Sequence, residues 1–147
     1  MTATVLFLDV NIPMYAGGSE HPLREPCAWI LGEIAEGRMS VATDAEIFQE
    51  ILYRYGALRL WQVGVRMATD LFGILPLILP ITAEDARIAV DLFGRYGPQG
   101  IPARDCLHVA VMWNQSLSHI LSTDRHFDQI EGITRVDPEQ LYQQQAG

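Results

Sequence analysis

The run Val5-Leu6-Phe7-Leu8-Asp9 decides the fold: a short, continuous apolar stretch ends abruptly on a carboxylate. Such a run, with β-branched and aromatic residues, is the pattern of a strand buried on both faces. The later run Ile120-Leu121-Ser122-Thr123-Asp124 has the same form and places a further strand over residues 119–123. Residues 39–43 predict a strand between them in sequence, and residues 75–81 another. The latter lies in the greasiest stretch of the chain, bounded by Pro76 and Pro80, and is too short for a helix. Residues 134–137 predict a short fifth strand.

Helical periodicity fills the intervals. Leu23, Cys27, Ile30, Leu31 and Ile34 recur at helical spacing over residues 22–36, which Gly37 stops. Thr43 has the position of an N-cap with Glu46 as its capping-box partner, opening a helix to about Gly56. A further helix is expected over residues 58–72. Thr82 with Asp85 begins another that reaches Tyr96, and after the turn Gly97-Pro98-Gln99-Gly100, Pro102 opens a helix that is apolar from Cys106 to Trp113. Residues 143–147 look like a frayed tail. Strands alternating with helices imply an α/β architecture in three layers, a central parallel sheet of four to five strands flanked by helices.

The 147 residues are expected to form a single domain spanning 1–147. Hydrophobic residues make up 49% and charged residues 19%, which excludes a disordered chain. The net charge of −8 excludes a broad basic surface for nucleic acid. All ten basic residues are arginine, so P-loop phosphate binding and Schiff-base chemistry, which require lysine, are excluded. Cys27 and Cys106 fall in apolar helical patterns and read as packed, reduced thiols of a cytoplasmic protein. No stretch approaches the roughly 18 uninterrupted apolar residues of a membrane span, so no membrane association is expected.

Four acids stand out against this apolar frame. Asp9 and Asp124 end strands, where the ligand site of a parallel sheet lies. Glu50 is flanked by Ile47 and Ile51, and Asp105 is followed by Cys106, Val109 and Met112, so both lie on core-directed helix patterns. Singly, each has an ordinary role as a cap, a first-turn acid or a solvated residue, and Arg104 is an adjacent ion-pair partner for Asp105. Together they point to one crevice, and buried carboxylates cost several kcal/mol unless paired or metal-bound, a penalty of about that size being typical. Oxygen donors of this kind suit a hard divalent cation, Mg²⁺ or Mn²⁺, bound with a substrate phosphate. Such ions supply the charge with which an acidic protein cleaves an anionic polymer. Asp128, one helical turn beyond Asp124, is a weaker fifth candidate. His108 shares the face of Asp105 and is expected to be a hydrogen-bonded helix histidine; His119 and His126, with two distant cysteines, do not make a zinc site. Trp61, beside Leu58, Leu60 and Val65, suits the core or a protein contact.

Four segments in order, Leu6-Phe7-Leu8-Asp9-Val10-Asn11, Gln49-Glu50-Ile51-Leu52, Ala103-Arg104-Asp105-Cys106-Leu107-His108-Val109-Ala110 and Leu121-Ser122-Thr123-Asp124-Arg125-His126-Phe127-Asp128, resemble PIN-domain signatures. The resemblance spans nearly the whole chain and is nearest to the VapC-like toxin ribonucleases of toxin–antitoxin pairs. It implies a PIN-like fold and a metal-dependent endoribonuclease. Asp9, Glu50, Asp105 and Asp124 would be its catalytic and metal-binding acids, with Asp128 as a frequent extra. By the same resemblance Asn11 and Thr123 support the ligands, the partners are RNA and a cognate antitoxin, and the chain forms a homodimer. Arg104 and Arg125 are candidates for phosphate contacts or for simple ion pairs. Two alternatives remain: an inactive PIN-like module that binds protein or RNA, and an aspartate-dependent phosphatase, whose second acid the sequence Asp9-Val10-Asn11 lacks.

Overall fold

The computed structural model describes residues 4–146. Five strands, β1 (Leu6–Leu8), β2 (Val41–Asp44), β3 (Ile78–Leu79), β4 (His119–Leu121) and β5 (Thr134–Val136), form one sheet in the order β3-β2-β1-β4-β5. Every neighbouring pair is parallel, with Leu6 beside Val41 on one side and Leu8 beside Leu121 on the other. The chain therefore reverses its direction of sheet growth at β1, and the crevice between β1 and β4 is the topological switch point.

Two cores lie on opposite faces of the sheet because successive strand residues alternate. Phe7, Ala42 and Ile120 point to one face, where α5 (Ala83–Tyr96) and α6 (Ala103–Asn114) cover them with Leu92, Tyr96, Val109 and Met112. Leu8, Val41 and Leu121 point to the other, covered by α1 (Asn11–Gly17), α2 (Arg24–Ala35), α3 (Glu46–Ala57) and α4 (Trp61–Ile74). Fully buried side chains such as Phe7, Ile51 and Ile120 contribute about 1.5–3 kcal/mol each. Cys27 and Cys106 are free, buried thiols, and burial pushes Cys27 up to about 12. Among the described residues no helix is long and apolar enough to cross a membrane.

Several local expectations are corrected. The strand expected over residues 75–81 contracts to Ile78–Leu79, because prolines at 76 and 80 lack the N–H a ladder needs. Thr43 is not an N-cap. It lies on β2, and its hydroxyl donates to the Leu8 carbonyl at 2.9 Å, tying β2 to β1. The N-cap is Ala45, which has no side-chain cap, and Oδ1 of Asp44, the last residue of β2, accepts the Glu46 N–H at 3.0 Å. By contrast, Thr82 and Asp85 form a complete capping box. The helix α1 is an addition to the expected elements; Ile12, with Met14 and Tyr15, packs it into the core although Pro13 and Gly17 weaken its helical pattern. The tail is ordered through α7 (Pro138–Gln145), where Tyr142 donates to Glu25 at 2.9 Å and its ring meets Trp29 edge-on; Gly147 lies outside the described residues.

Candidate active site

Asp9 follows the central strand, and its carboxylate is held from three directions. Oδ1 accepts the Val10 N–H at 2.8 Å, while Oδ2 accepts the Ser122 hydroxyl at 2.6 Å and the Asn11 amide at 3.2 Å. The same Asn11 nitrogen reaches Asp124 Oδ2 at 3.3 Å, and Asn11 Oδ1 accepts the Thr123 N–H at 3.3 Å. Ser122 Oγ also accepts the Asp124 N–H at 3.0 Å. This web is possible because β1 and β4 are adjacent and in register, so both chains leave the sheet at one level.

Glu50 comes from α3 and is buried, its side chain 3% exposed. Oε1 accepts a hydrogen bond from His108 Nε2, and Arg104 approaches Oε2 at 3.5 Å. His108 lies one turn along α6 from Asp105, and its Nδ1 donates to Asp44 Oδ2 at 2.7 Å. Asp105 lies in the first turn of α6, where the helix N-terminus favours an acid. Its Oδ2 accepts His126 Nε2 at 2.6 Å. Asp9, Glu50, Asp105 and Asp124 all line one cavity of about 310 Å³, with Asn11, Thr123, Arg104 and His126 completing most of its wall. Asp9, Glu50 and His108 offer donor atoms within 4.8 Å of one another, and so do Asp105, Asp124 and His126.

The electrostatics follow from crowding carboxylates in a dry place. Burial pushes the Asp9 carboxyl up to about 7; the charges of Asp105 and Glu50 add to this, while His108 and the Ser122 hydrogen bond oppose it. Burial likewise raises Asp105, against the pull of His108 and His126. Burial alone would lower His108, but the hydrogen bonds and charges of Asp44 and Glu50 outweigh it and hold the imidazole well above its ordinary value. A concave, acid-lined site of this kind favours a cation.

The sequence candidates separate on inspection. The four principal acids, Asn11, Thr123 and Arg104 converge on the cavity. Arg125 is exposed beside Asp124 and lies outside the lining residues. Asp128 turns away, a correction to its expected place beside Asp124. Residues Arg125–Gln129 form a 3-10 helix, so a four-residue step rotates it about 120° from Asp124. Its carboxylate instead pairs with Arg135 at 3.1 Å, and Arg135 also donates to the Ser122 carbonyl at 3.1 Å.

Asp44, Ser122 and His126 were not singled out by sequence as site residues. Asp44 carries the same signal as Asp9, a carboxylate closing an apolar strand, but the neighbouring capping pattern masked it. Ser122 is a lone hydroxyl at the end of an apolar strand. In the sequence His126 stands only with His119 and two distant cysteines, a set that does not make a zinc site.

Comparison with known proteins bears on this geometry. The PIN domain family model matches residues 6–133. Ribonuclease VapC13 of Mycobacterium tuberculosis is 37% identical over 133 residues, covering 90% of this chain and 99% of the relative. Two solved structures share the fold. VapC20 of M. tuberculosis, described as a sarcin–ricin loop cleaving toxin, has a TM-score of 0.70 at 14% identity over 86% of this chain and 94% of its own. DNA-bound VapBC from Salmonella typhimurium has a TM-score of 0.71 at 13% identity, over 92% and 99%.

Proposed function

This chain belongs to the PIN-domain family, and we propose on that premise that it is a metal-dependent endoribonuclease, the toxin of a toxin–antitoxin pair. The observation that carries the reading is the convergence of Asp9, Glu50, Asp105 and Asp124, from four separate segments, on one cavity at the carboxyl end of the sheet. The relatives named as ribonucleases match almost the full chain, which supports the reaction class.

The donor set fits Mg²⁺ or Mn²⁺. It is dominated by carboxylate oxygens, and the mutual repulsion of Asp9, Glu50 and Asp105 is relieved by a divalent charge. Asp9, Glu50, Asp105 and Asp124 are the proposed ligands. When bound, such a cation supplies a Lewis acid for a phosphoryl oxygen and lowers the pKa of an adjacent water.

The remaining work falls to side chains. Asn11 and Ser122 hold Asp9 and Asp124 at a fixed separation, and the Thr123 N–H fixes Asn11 in turn. Arg104, at the cavity wall and 43% exposed, binds an RNA phosphate; Arg125, outside the wall, is placed for a flanking one. His126 Nε2 holds Asp105 Oδ2 and keeps that carboxylate turned into the cavity. With net charge −8, affinity for RNA is concentrated at this site.

The proposed protein partners are an antitoxin and a second copy of the chain, acting in the cytoplasm. Exposed apolar residues on the α3–α4 hairpin, including Leu52, Leu58, Trp61 and Phe72, support a protein contact there. The test is cleavage of structured RNA by the wild type with Mn²⁺, by the wild type with EDTA, and by Asp9→Asn. Equal cleavage in all three preparations overturns the reading.

A further inference from the structure

We propose that Asp44 and His108 are a positioning pair that pins Oε1 of Glu50 and leaves only Oε2 to serve the cavity. The proposal rests on the metal-dependent reading above. A continuous hydrogen-bonded line carries it: the Glu46 N–H at the start of α3 fixes Asp44 Oδ1, Asp44 Oδ2 accepts His108 Nδ1, and His108 Nε2 reaches Glu50 Oε1. The three side chains are 0%, 1% and 3% exposed, in the same order. The line begins on the backbone of the helix that carries Glu50 and closes through α6, so it ties the helices on the two faces of the sheet behind Glu50.

A buried ionic triad is a weak stabiliser beside well-packed apolar residues of similar volume. Its place against the cavity is explained by what it holds. Glutamate has three rotatable side-chain bonds, and a free Glu50 could turn either oxygen or neither toward a ligand. With Oε1 engaged, the remaining oxygen, which Arg104 approaches at 3.5 Å, is the one available. Both ring nitrogens of His108 already have carboxylate partners, and the ring packs on Phe7 with centroids 5.4 Å apart, so the imidazole is immobilised. This is an outer-layer arrangement that orients a ligand, and disrupting such partners typically weakens metal binding about 10–100-fold.

The experiment is a double-mutant cycle read by Mn²⁺ calorimetry on the full chain. His108→Leu and Glu50→Gln are each expected to weaken Mn²⁺ binding by about 10-fold or more. The double variant is expected to bind no worse than Glu50→Gln alone, because the histidine acts through that carboxylate. Losses that multiply overturn the proposal. If His108→Leu fails to fold, Asp44→Asn replaces it in the same cycle, since its amide oxygen can still accept the Glu46 N–H. Wild-type protein that binds no Mn²⁺ sinks the metal-dependent reading itself. The positioning claim is then decided by metal-free crystal structures of the wild type and the variant. A displaced Glu50 carboxylate supports it, and an unmoved one overturns it.

Discussion

The hydroxyl of Ser122 donates to Asp9 Oδ2 at 2.6 Å across 113 residues of sequence, joining the ends of the two central strands. Its oxygen also accepts the Asp124 N–H at 3.0 Å. Ser122→Ala is therefore expected to destabilise the fold by about 1–3 kcal/mol, as loss of buried hydrogen bonds does. Mn²⁺ affinity should fall about 10-fold because Asp9 and Asp124 lose their common support. Urea unfolding and calorimetry measure the two effects. Unchanged affinity would show that Asn11 alone aligns the carboxylates.

The raised Asp9 carboxyl makes metal-free stability depend on pH in a defined direction. Its folded value of about 7 lies above the ordinary 3.8, so the folded state holds a proton that the unfolded state releases. The stabilisation is fully present below about pH 4 and is lost as pH rises through 7. In EDTA, wild-type stability should therefore fall relative to Asp9→Asn between pH 4 and 7, by a few kcal/mol at most. Denaturant midpoints of both proteins across that range give the answer, and parallel curves would contradict it.

Metal binding should respond to pH in the opposite sense. Asp9 must shed its proton before it can donate to a cation, so Mn²⁺ affinity is expected to rise with pH up to about 7 and then level off. Saturating metal should also protect the fold, by about 2.7 kcal/mol at a hundredfold excess over Kd. Thermal unfolding with and without Mn²⁺ at pH 6 and pH 8 checks both expectations. Greater protection at pH 6 would refute them.

Asp124 and Asp128 should behave differently despite lying one short turn apart. Asp124→Asn removes a cavity oxygen and is expected to weaken Mn²⁺ binding about 10-fold or more. Asp128→Asn disturbs only the half-exposed pair with Arg135, worth at most about 1 kcal/mol, and should leave metal affinity within about twofold. Calorimetry on the two variants distinguishes them directly.

Arg104→Gln is expected to weaken RNA binding and reduce its dependence on salt by the equivalent of about one phosphate contact. Binding of a short RNA to protein in Ca²⁺, measured between 50 and 200 mM salt (about one useful window for such slopes), reports the change. An unaltered slope would assign Arg104 to Glu50 alone, with which it already makes contact at 3.5 Å.

The parallel layered architecture was legible because Val5-Leu6-Phe7-Leu8 and Ile120-Leu121 are uninterrupted apolar runs, and only a strand covered on both faces needs that. The four principal acids were legible for a related reason: each closes or interrupts an apolar pattern where solvent is scarce. Asp44 was not, because a carboxylate two residues before a helix serves equally well to hold its first N–H, and here it does more. Its Oδ1 accepts the first N–H of α3 while Oδ2 holds His108. β3 is shorter than its hydropathy suggests because Pro76 and Pro80 add apolar weight without a ladder N–H. The turn of Asp128 depended on a 3-10 rather than an α-helical step, a difference in backbone winding that no side-chain pattern over five residues reveals.

Because β1 lies between β2 and β4, the cavity joins segments 113 residues apart in sequence. During synthesis Asp9 leaves the ribosome well before the strand that must dock beside it has been made, and Ser122 and Asp124 with it. A nascent chain that lacks them has no assembled acidic pocket. Whatever chemistry the pocket performs is thereby withheld until β4 and Asp124 have been translated.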